Sequence, residues 1–367
     1  MQSNRSKHVA VAMSGGVDSS VAAGLLLRAG YKVHGIHMRL WRFGQEGQAS
    51  DDAQAKAQQV ADLLGFPLEV VDYRDVFYSD VVEFYLTALK QGLTPNPCIR
   101  CNRLIKWGKL LTHVQAMGCG YLASGHYARL ERTHGGQVNL LRGIDIGKDQ
   151  SYVLSVLPQA VLQFMVLPLG ELHKSEVRKL ADDFHLPMSD RKESQDLCFL
   201  SGAGQDTFIN NVAPEMLVPG DILDQGGQML GKHPGLALYT IGQRKGLGIA
   251  ESRPLYVIQK DLASNSLIVG HAEALLRQGL LARDANWISG AAPLTDKNYA
   301  LKIRYKAKLA FGRIELRPDG DFIVQFEQGL RDITPGQSVV VYDGDICLGG
   351  GVIKQAVDKY KSLRMRM

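Results

Sequence analysis

Short apolar runs alternate with amphipathic stretches through the N-terminal third of the chain. This predicts strands at His8 to Met13, Lys32 to Met38, Leu68 to Asp72 and Tyr121 to Ser124, with helices near 20–29, 51–64, 75–90 and 104–117. Strands and helices in that order make an α/β domain on a parallel sheet. Ala128 to Arg142 reads as a hairpin turning at Gly135-Gly136, and Ser175 to His185 as a helix capped by Ser175. From about 218 the texture changes, and Gly and Pro punctuate short pieces such as Tyr256 to Gln259 and Ser266 to Val269. Period-two alternation then dominates Leu301 to Lys306, Arg313 to Arg317, Asp321 to Phe326 and Ser338 to Tyr342, with turns at Pro318-Asp319-Gly320 and Tyr342-Asp343-Gly344. Such strands predict a small β-barrel. Boundaries near 205 and 277 give an α/β domain (1–205), a central β-rich domain (206–277) and a C-terminal β-barrel (278–367).

A chain of 367 residues exceeds one core and fits this division. The formal charge of +5 is mildly basic and admits a polyanionic partner. No apolar run reaches the roughly 18 residues needed to span a bilayer, and Met1 to Lys7 is polar, so a cytoplasmic protein with no membrane partner is expected. Cysteines stand at 98, 101, 119, 198 and 347, an odd number that argues for reduced thiols over a disulfide scaffold. Cys119 and Cys347 sit among apolar or Gly residues and read as packing residues.

Ser14-Gly15-Gly16-Val17-Asp18-Ser19-Ser20 lies between the first strand and the first helix. Gly15 and Gly16 lack Cβ atoms, so backbone N–H groups can crowd an anion, while the serines add hydroxyl donors and the helix its positive end. Asp18 is the odd member, because a carboxylate beside phosphates calls for a cation such as Mg²⁺ between them. The spacing is not that of a Walker A loop. The strand–loop–helix setting favours a nucleotide site over an ordinary capped turn.

Thr94 to Arg103 reads as a loop between two helices, stiffened by Pro95 and Pro97, in which Arg100 and Arg103 would favour thiolates at Cys98 and Cys101. A zinc half-site is the alternative for C-x-x-C, and no second pair of matching spacing exists in the sequence. Cys198 lies in Glu193-Ser194-Gln195-Asp196-Leu197-Cys198-Phe199-Leu200. An ATP-activated carbonyl needs a nucleophile, which a persulfide supplies, and a second thiol is needed to cleave the S–S bond.

The phosphate loop appears in order with Gly35-Ile36-His37-Met38, Thr94-Pro95-Asn96-Pro97, Cys101-Asn102, Ser124-Gly125-His126-Tyr127-Ala128, Lys148-Asp149-Gln150-Ser151-Tyr152, Cys198-Phe199, Gly242-Gln243-Arg244-Lys245-Gly246-Leu247-Gly248 and Thr334-Pro335-Gly336-Gln337. The set closely resembles the tRNA-uridine 2-sulfurtransferases of the MnmA family, within the PP-loop ATP pyrophosphatases, over about 8 to 355. The resemblance implies a PP-loop domain, a small central β domain and a C-terminal β-barrel. It implies adenylation of C2–O of the wobble uridine in tRNAs for Lys, Glu and Gln, then replacement of that oxygen by sulfur from an upstream persulfide-donating relay protein.

On the same resemblance, ATP lies on Ala12, Met13, Ser14, Gly15, Gly16, Val17, Asp18 and Ser19, with Met38 and Gly125 on the adenine side. Cys101 is the nucleophile, Cys198 carries the persulfide, and the two form a disulfide during the cycle. Asn96, Pro97 and Cys98 meet the target base, while His126, Lys148, Asp149, Gln150, Arg304, Tyr305 and Gln337 meet tRNA. By residue type, Lys302, Arg304, Lys306 and Lys308 suit phosphates equally as they suit the solvated face of one strand. Three alternatives stand behind this reading: a small-molecule adenylating ligase or amidotransferase, an RNA-binding module with a degenerate loop, and a thiolase using an iron–sulfur cluster on Cys98, Cys101 and Cys198.

Overall fold

In the computed structural model, which describes residues 7–44, 51–187 and 197–358, the first strands are β1 (His8–Ala12), β2 (Lys32–Arg39), β3 (Leu68–Asp72) and β4 (Tyr121–Ala123). After the hairpin β5 (Ala128–Arg132) and β6 (Val138–Arg142) comes β7 (Met165–Val166). The sheet order is β3-β2-β1-β4-β7, parallel throughout. The chain steps from β1 to β2 and β3 on one side, then crosses to β4 on the other, so the strand order reverses at β1/β4. Crevices beyond strand C-termini at such a reversal are where α/β sheets bind ligands. Val9, Ala10, Val11 and Leu122 are buried on both faces, which is why these strands read as continuous apolar runs.

Helices α1 (Val17–Arg28) and α2 (Asp51–Leu64) follow β1 and β2. The expected helix at 75–90 is continuous but built from Arg74–Phe77, a π-helical turn Tyr78–Val82 and Glu83–Lys90. The Thr94–Arg103 loop ends early: α3 spans Pro97–Cys101 and runs on through a π segment, Asn102–Lys109, into Leu110–Ala116. The Asn96 side chain accepts from the N–H groups of Cys98 and Ile99, and Pro97 occupies the first helical position, which suits its fixed φ. The later helix, α4 (Lys174–Asp183), starts after His173 instead of at Ser175; Glu176 reaches back to accept from the His173 N–H at 2.7 Å.

A central sheet orders β8 (Gly220–Leu223), β9 (Met229–His233), β10 (Tyr256–Asp261) and β11 (Ser266–Gly270) as β10-β11-β8-β9. The last six strands are β12 (Arg277–Trp287), β13 (Tyr299–Lys302), β14 (Ala310–Leu316), β15 (Phe322–Leu330), β16 (Ser338–Asp343) and β17 (Ile346–Val357). They close into a barrel because β12 pairs with both β15 and β17. Closure leaves no free edge among them except where β17 extends onto β6. The predicted 128–142 hairpin forms, but its partner is the barrel: Ile346 opposes Leu141 and Cys347 opposes Leu140. Arg129 and Arg142 both hold Asp345, and one apolar cluster runs from Leu122 and Leu140 to Val340, Tyr342 and Cys347. The first domain and the barrel therefore share a core. Cys347 is buried in it and Cys119 packs against it.

Candidate active site

The loop after β1 is held open by its own side chains. Gly15 has φ +73°, and a Cβ there would overlap the Ala53 carbonyl of α2. Ser19 Oγ accepts from the Ser14 N–H at 3.2 Å and donates to the Gly16 carbonyl at 3.0 Å, while Ser20 Oγ donates to that same carbonyl at 2.9 Å. Ser14 is exposed and Ser19 buried, so the rim faces outward on a fixed floor. Gly125, just after β4, presses on this loop: a Cβ would lie 2.7 Å from Asp18 C and 2.8 Å from Ser19 N. Ala12 ends β1, Met38 lies near the end of β2 and Gly125 follows β4, so these residues and the loop Met13 to Val17 share the C-terminal edge of the parallel sheet. Buried His37 ties the floor together through Nδ1 and the Met13 carbonyl at 2.8 Å, and burial holds its pKa below the ordinary histidine value.

Asp18 meets a cation within the protein. Lys174 Nζ, on the first residue of α4, donates to Asp18 Oδ1 at 2.6 Å, and Tyr127 OH donates to the same oxygen at 2.7 Å. The pair is partly shielded, with Lys174 and Asp18 side chains 12 % and 32 % exposed. Lys174 is 156 residues from Asp18, and nothing local in the sequence marks it.

Cys98, Cys101 and Cys198 lie near one another. Cys98 and Cys101 share one face of α3, and Cys198 begins a short turn, Cys198–Leu200, anchored by buried Phe199. The Phe43 N–H donates to the Phe199 carbonyl at 2.8 Å, and Phe199 packs edge-on against Tyr85 and Phe77. Residues 193–196 of the polar string before Cys198 lie outside the described residues, as do residues 1–6. All five cysteines are free, with Cys98 and Cys198 exposed and Cys101 buried. Cys98 and Cys198 reach solvent although protein packs closely around them. Burial pushes Cys98 up to about 11 and Cys101 to about 12, and the nearby Cys198 adds to both shifts. Burial raises Cys198 as well.

These shifts overturn the expectation of arginine-activated thiolates. The Arg100 guanidinium donates to the Asp80 carbonyl and stacks on Phe84 at 4.3 Å, turned from the thiols. The cation that acts on all three thiols is Lys106, which favours their thiolates and opposes protonation of His126. Lys106 lies five residues after Cys101, and the i→i+5 register of the π-helical segment turns the fifth residue back toward the thiol face. Gly108 permits that register, since a Cβ there would sit 2.9 Å from the Arg103 carbonyl. Lys106→Met should raise the thiol pKa values and slow iodoacetamide alkylation of Cys98 and Cys198 at pH 8 by about tenfold per pKa unit, with Lys106→Arg near wild type. Peptide mapping of the alkylated protein measures it, and equal rates in both variants would remove Lys106 from this role.

The residues expected to meet tRNA are mostly engaged within the protein. His126 is buried, its Nδ1 2.7 Å from Ser124 Oγ and its ring against Trp107, and burial holds its pKa far below the ordinary value. Asp149 accepts from the N–H groups of Gly143 and Ser151 and faces Lys302 at 3.8 Å, while Gln150 accepts from the Tyr127 N–H at 2.9 Å. Lys148 and Tyr305 are half-buried. The strand expected over Leu301 to Lys306 stops at Lys302, so Lys302, Arg304, Lys306 and Lys308 do not form one strand face. Arg304 turns inward and donates to the Ile241 carbonyl at 2.7 Å and to Thr334 Oγ1. Gln337 donates to the Thr94 carbonyl at 2.8 Å. Lys106 and Lys174 are the site residues that the sequence reading missed.

Among the described residues no group of three or more His, Cys, Asp or Glu side chains has a metal-holding arrangement, the three thiols included. Nor is any described helix long and apolar enough to cross a membrane.

Comparison with known proteins adds three family matches: a tRNA methyl transferase HUP domain over residues 7–202, a tRNA methyl transferase PRC-barrel domain over 206–271, and an aminomethyltransferase beta-barrel domain over 277–353. A tRNA-specific 2-thiouridylase MnmA of Chloroflexus aggregans is 43% identical over 94% of this chain and 98% of its own. One of the same description from Magnetococcus marinus is 44% identical over 95% and 99%. Among solved structures, the U34-tRNA thiolase NcsA from Methanococcus maripaludis with its [4Fe-4S] cluster matches at 21% identity and TM-score 0.35, covering 56% of this chain and 66% of that one.

Proposed function

The chain belongs to the tRNA-specific 2-thiouridylase MnmA family, and from that premise we propose that it is the sulfurtransferase that converts the wobble uridine of tRNAs for Lys, Glu and Gln to 2-thiouridine, in the cytoplasm and at the expense of ATP. One observation carries the site assignment. The phosphate loop presses on Gly125, and the next residue, His126, packs its ring against Trp107 on the helix that continues from Cys98 and Cys101, which supports nucleotide and sulfur chemistry at adjoining sites.

In this reading the loop Ala12 to Ser19 binds the ATP phosphates, with Met38 and Gly125 on the adenine side. Asp18 would hold Mg²⁺ together with phosphate oxygens, and the metal would supply charge neutralisation to departing pyrophosphate. Uridine O2 attacks the α-phosphorus and pyrophosphate leaves. The outer sulfur of a Cys198 persulfide, loaded by a relay protein, attacks C2 and AMP leaves with the original oxygen. Cys101 thiolate then attacks Cys198 Sγ; the S–S electron pair stays with the transferred sulfur as the thiocarbonyl forms, and a Cys101–Cys198 disulfide remains for reduction by an external thiol. Lys106 favours the thiolates this sequence needs. Asn96, Pro97 and Cys98 line the target base, and the 1–205, 206–277 and 278–367 segments act as catalytic, central and tRNA-contacting units. His126, Lys148, Asp149, Gln150, Arg304, Tyr305 and Gln337 remain the proposed tRNA side of the site, several of them through the loops they hold in shape.

Incubation with unmodified tRNA, ATP, Mg²⁺ and a persulfide donor should give 2-thiouridine at the first anticodon position, with AMP and pyrophosphate in equal amounts. Nucleoside analysis that found no thiolated product beside an active control enzyme would overturn the proposal. Iron and acid-labile sulfide analysis of protein purified without oxygen separates the persulfide route from a cluster-dependent one.

A further inference from the structure

Thr94 is gripped by the barrel at both backbone groups. Its N–H donates to the Pro335 carbonyl at 2.9 Å, and its carbonyl accepts from Gln337 Nε2 at 2.8 Å. Its hydroxyl lies 3.4 Å from that of Thr240 in the central domain. Gly336 has φ +93°, and a Cβ there would stand 2.9 Å from Thr94 N and 3.0 Å from Leu93 Cβ, so the contact requires glycine twice over. The gripping loop is itself fixed to the barrel, because the Gly336 N–H donates to the Ile353 carbonyl and the Ile353 N–H to that of Gln337. Arg304 fastens the same loop to the central domain by bonding both Thr334 Oγ1 and the Ile241 carbonyl.

Only Pro95 separates Thr94 from Asn96, the cap of α3, and Pro97 opens that helix. Both prolines have fixed φ, so little torsional freedom remains between the gripped residue and the thiols on α3. We propose that the barrel loop Thr334 to Gln337 is the positioning element of the thiol-bearing helix, with Gln337 and Gly336 holding Thr94 and thereby setting where Cys98 and Cys101 stand. A tRNA seated on the barrel and the nucleophile on α3 then share one rigid frame. The inference rests on the proposed thiolation reading for its consequence in turnover, but the grip itself is measurable without tRNA.

Gln337→Met removes the donor at nearly constant volume, and Gly336→Ala strains the loop. Amide hydrogen exchange of the free protein should show the Thr94 N–H exchanging at least tenfold faster in both variants, with β1 amides unchanged as the internal check on folding. In turnover at saturating tRNA, Gln337→Met should lower kcat at least tenfold, whereas Gln337→Lys, which keeps a donor, should recover much of that loss. Unchanged Thr94 exchange overturns the grip. A raised tRNA Kd at wild-type kcat overturns the positioning role and makes Gln337 a direct tRNA contact. Absence of thiolation by the wild-type protein, with Thr94 exchange still accelerated in the variants, counts against the function and leaves the grip standing.

Discussion

Cys101→Ser and Cys198→Ser are each expected to reduce persulfide-dependent thiolation by at least about a thousandfold, in the range seen when members of a catalytic unit are removed. A serine hydroxyl at 198 cannot hold a transferable sulfur, and one at 101 cannot cleave the S–S bond left after attack on C2. The two thiols act in one sequence, so the double variant should be little worse than either single one. Formation of AMP and pyrophosphate in the presence of tRNA, with millimolar sulfide as an external nucleophile, should persist in both variants because the phosphate loop is untouched. Wild-type thiolation rates in Cys198→Ser with a persulfide donor would sink the assignment.

The pH dependence follows from burial. Cys101 is pushed up to about 12, so near pH 7 it is held as the neutral thiol and only a small fraction is nucleophilic. The sulfur-releasing step in single turnover should therefore accelerate as pH rises from 7 to 10, while the phosphate loop requires no such rise. For stability the sign is the reverse. A thiol whose folded pKa lies above its unfolded value stabilises least at high pH, because the unfolded chain ionises first; below about 8.5, the unfolded thiol value, it adds no pH dependence. A denaturant midpoint that falls above pH 9 in the wild type and falls less in Cys101→Ser would show the linkage.

How far the sequence revealed these features depended on whether they are local. Strand and helix patterning follows from burial along short windows, and β1, β2 and β3 appear where alternation puts them. The Ser14 to Ser20 loop is legible because seven neighbouring residues supply all its parts. The start of α3 was also written locally, in Asn96 and Pro97, but two prolines together were read as a loop when one of them opens a helix. Arg100 is beside Cys101 in sequence yet faces Phe84, whereas Lys106 reaches the thiols through a π-helical register that no 3.6-residue periodicity would suggest. The inward turn of Arg304, the grip of Gln337 on Thr94 and the addition of β6 to β17 all join segments far apart in the chain. Pairings of that kind depend on the assembled domains, and no local pattern encodes them.

Lys174→Met should abolish most ATP-dependent chemistry while leaving the thiols reactive. Two groups meet at the Asp18 carboxylate, Lys174 and Tyr127, on the same oxygen at 2.6 and 2.7 Å. Without the ammonium, that carboxylate would face incoming phosphates with less compensation, so both ATP affinity and transition-state charge stabilisation should suffer. Removal of one such electrostatic stabiliser typically costs about a hundred- to a thousandfold in kcat, and pyrophosphate release in the presence of tRNA should drop by that much. Asp18→Asn relieves the repulsion but abandons the metal-facing charge, so it should weaken Mg²⁺ dependence as well as rate. Combining it with Lys174→Met should cost less than the product of the two, since each removes the other's partner. Alkylation of Cys98 and Cys198 at fixed pH should match the wild type in every one of these variants, because the cations acting on these thiols are Lys106 and, at Cys198, also Arg42. If Lys174→Met released pyrophosphate at the wild-type rate, Lys174 would be a tether between α4 and the loop, and the phosphate site would have to work without it.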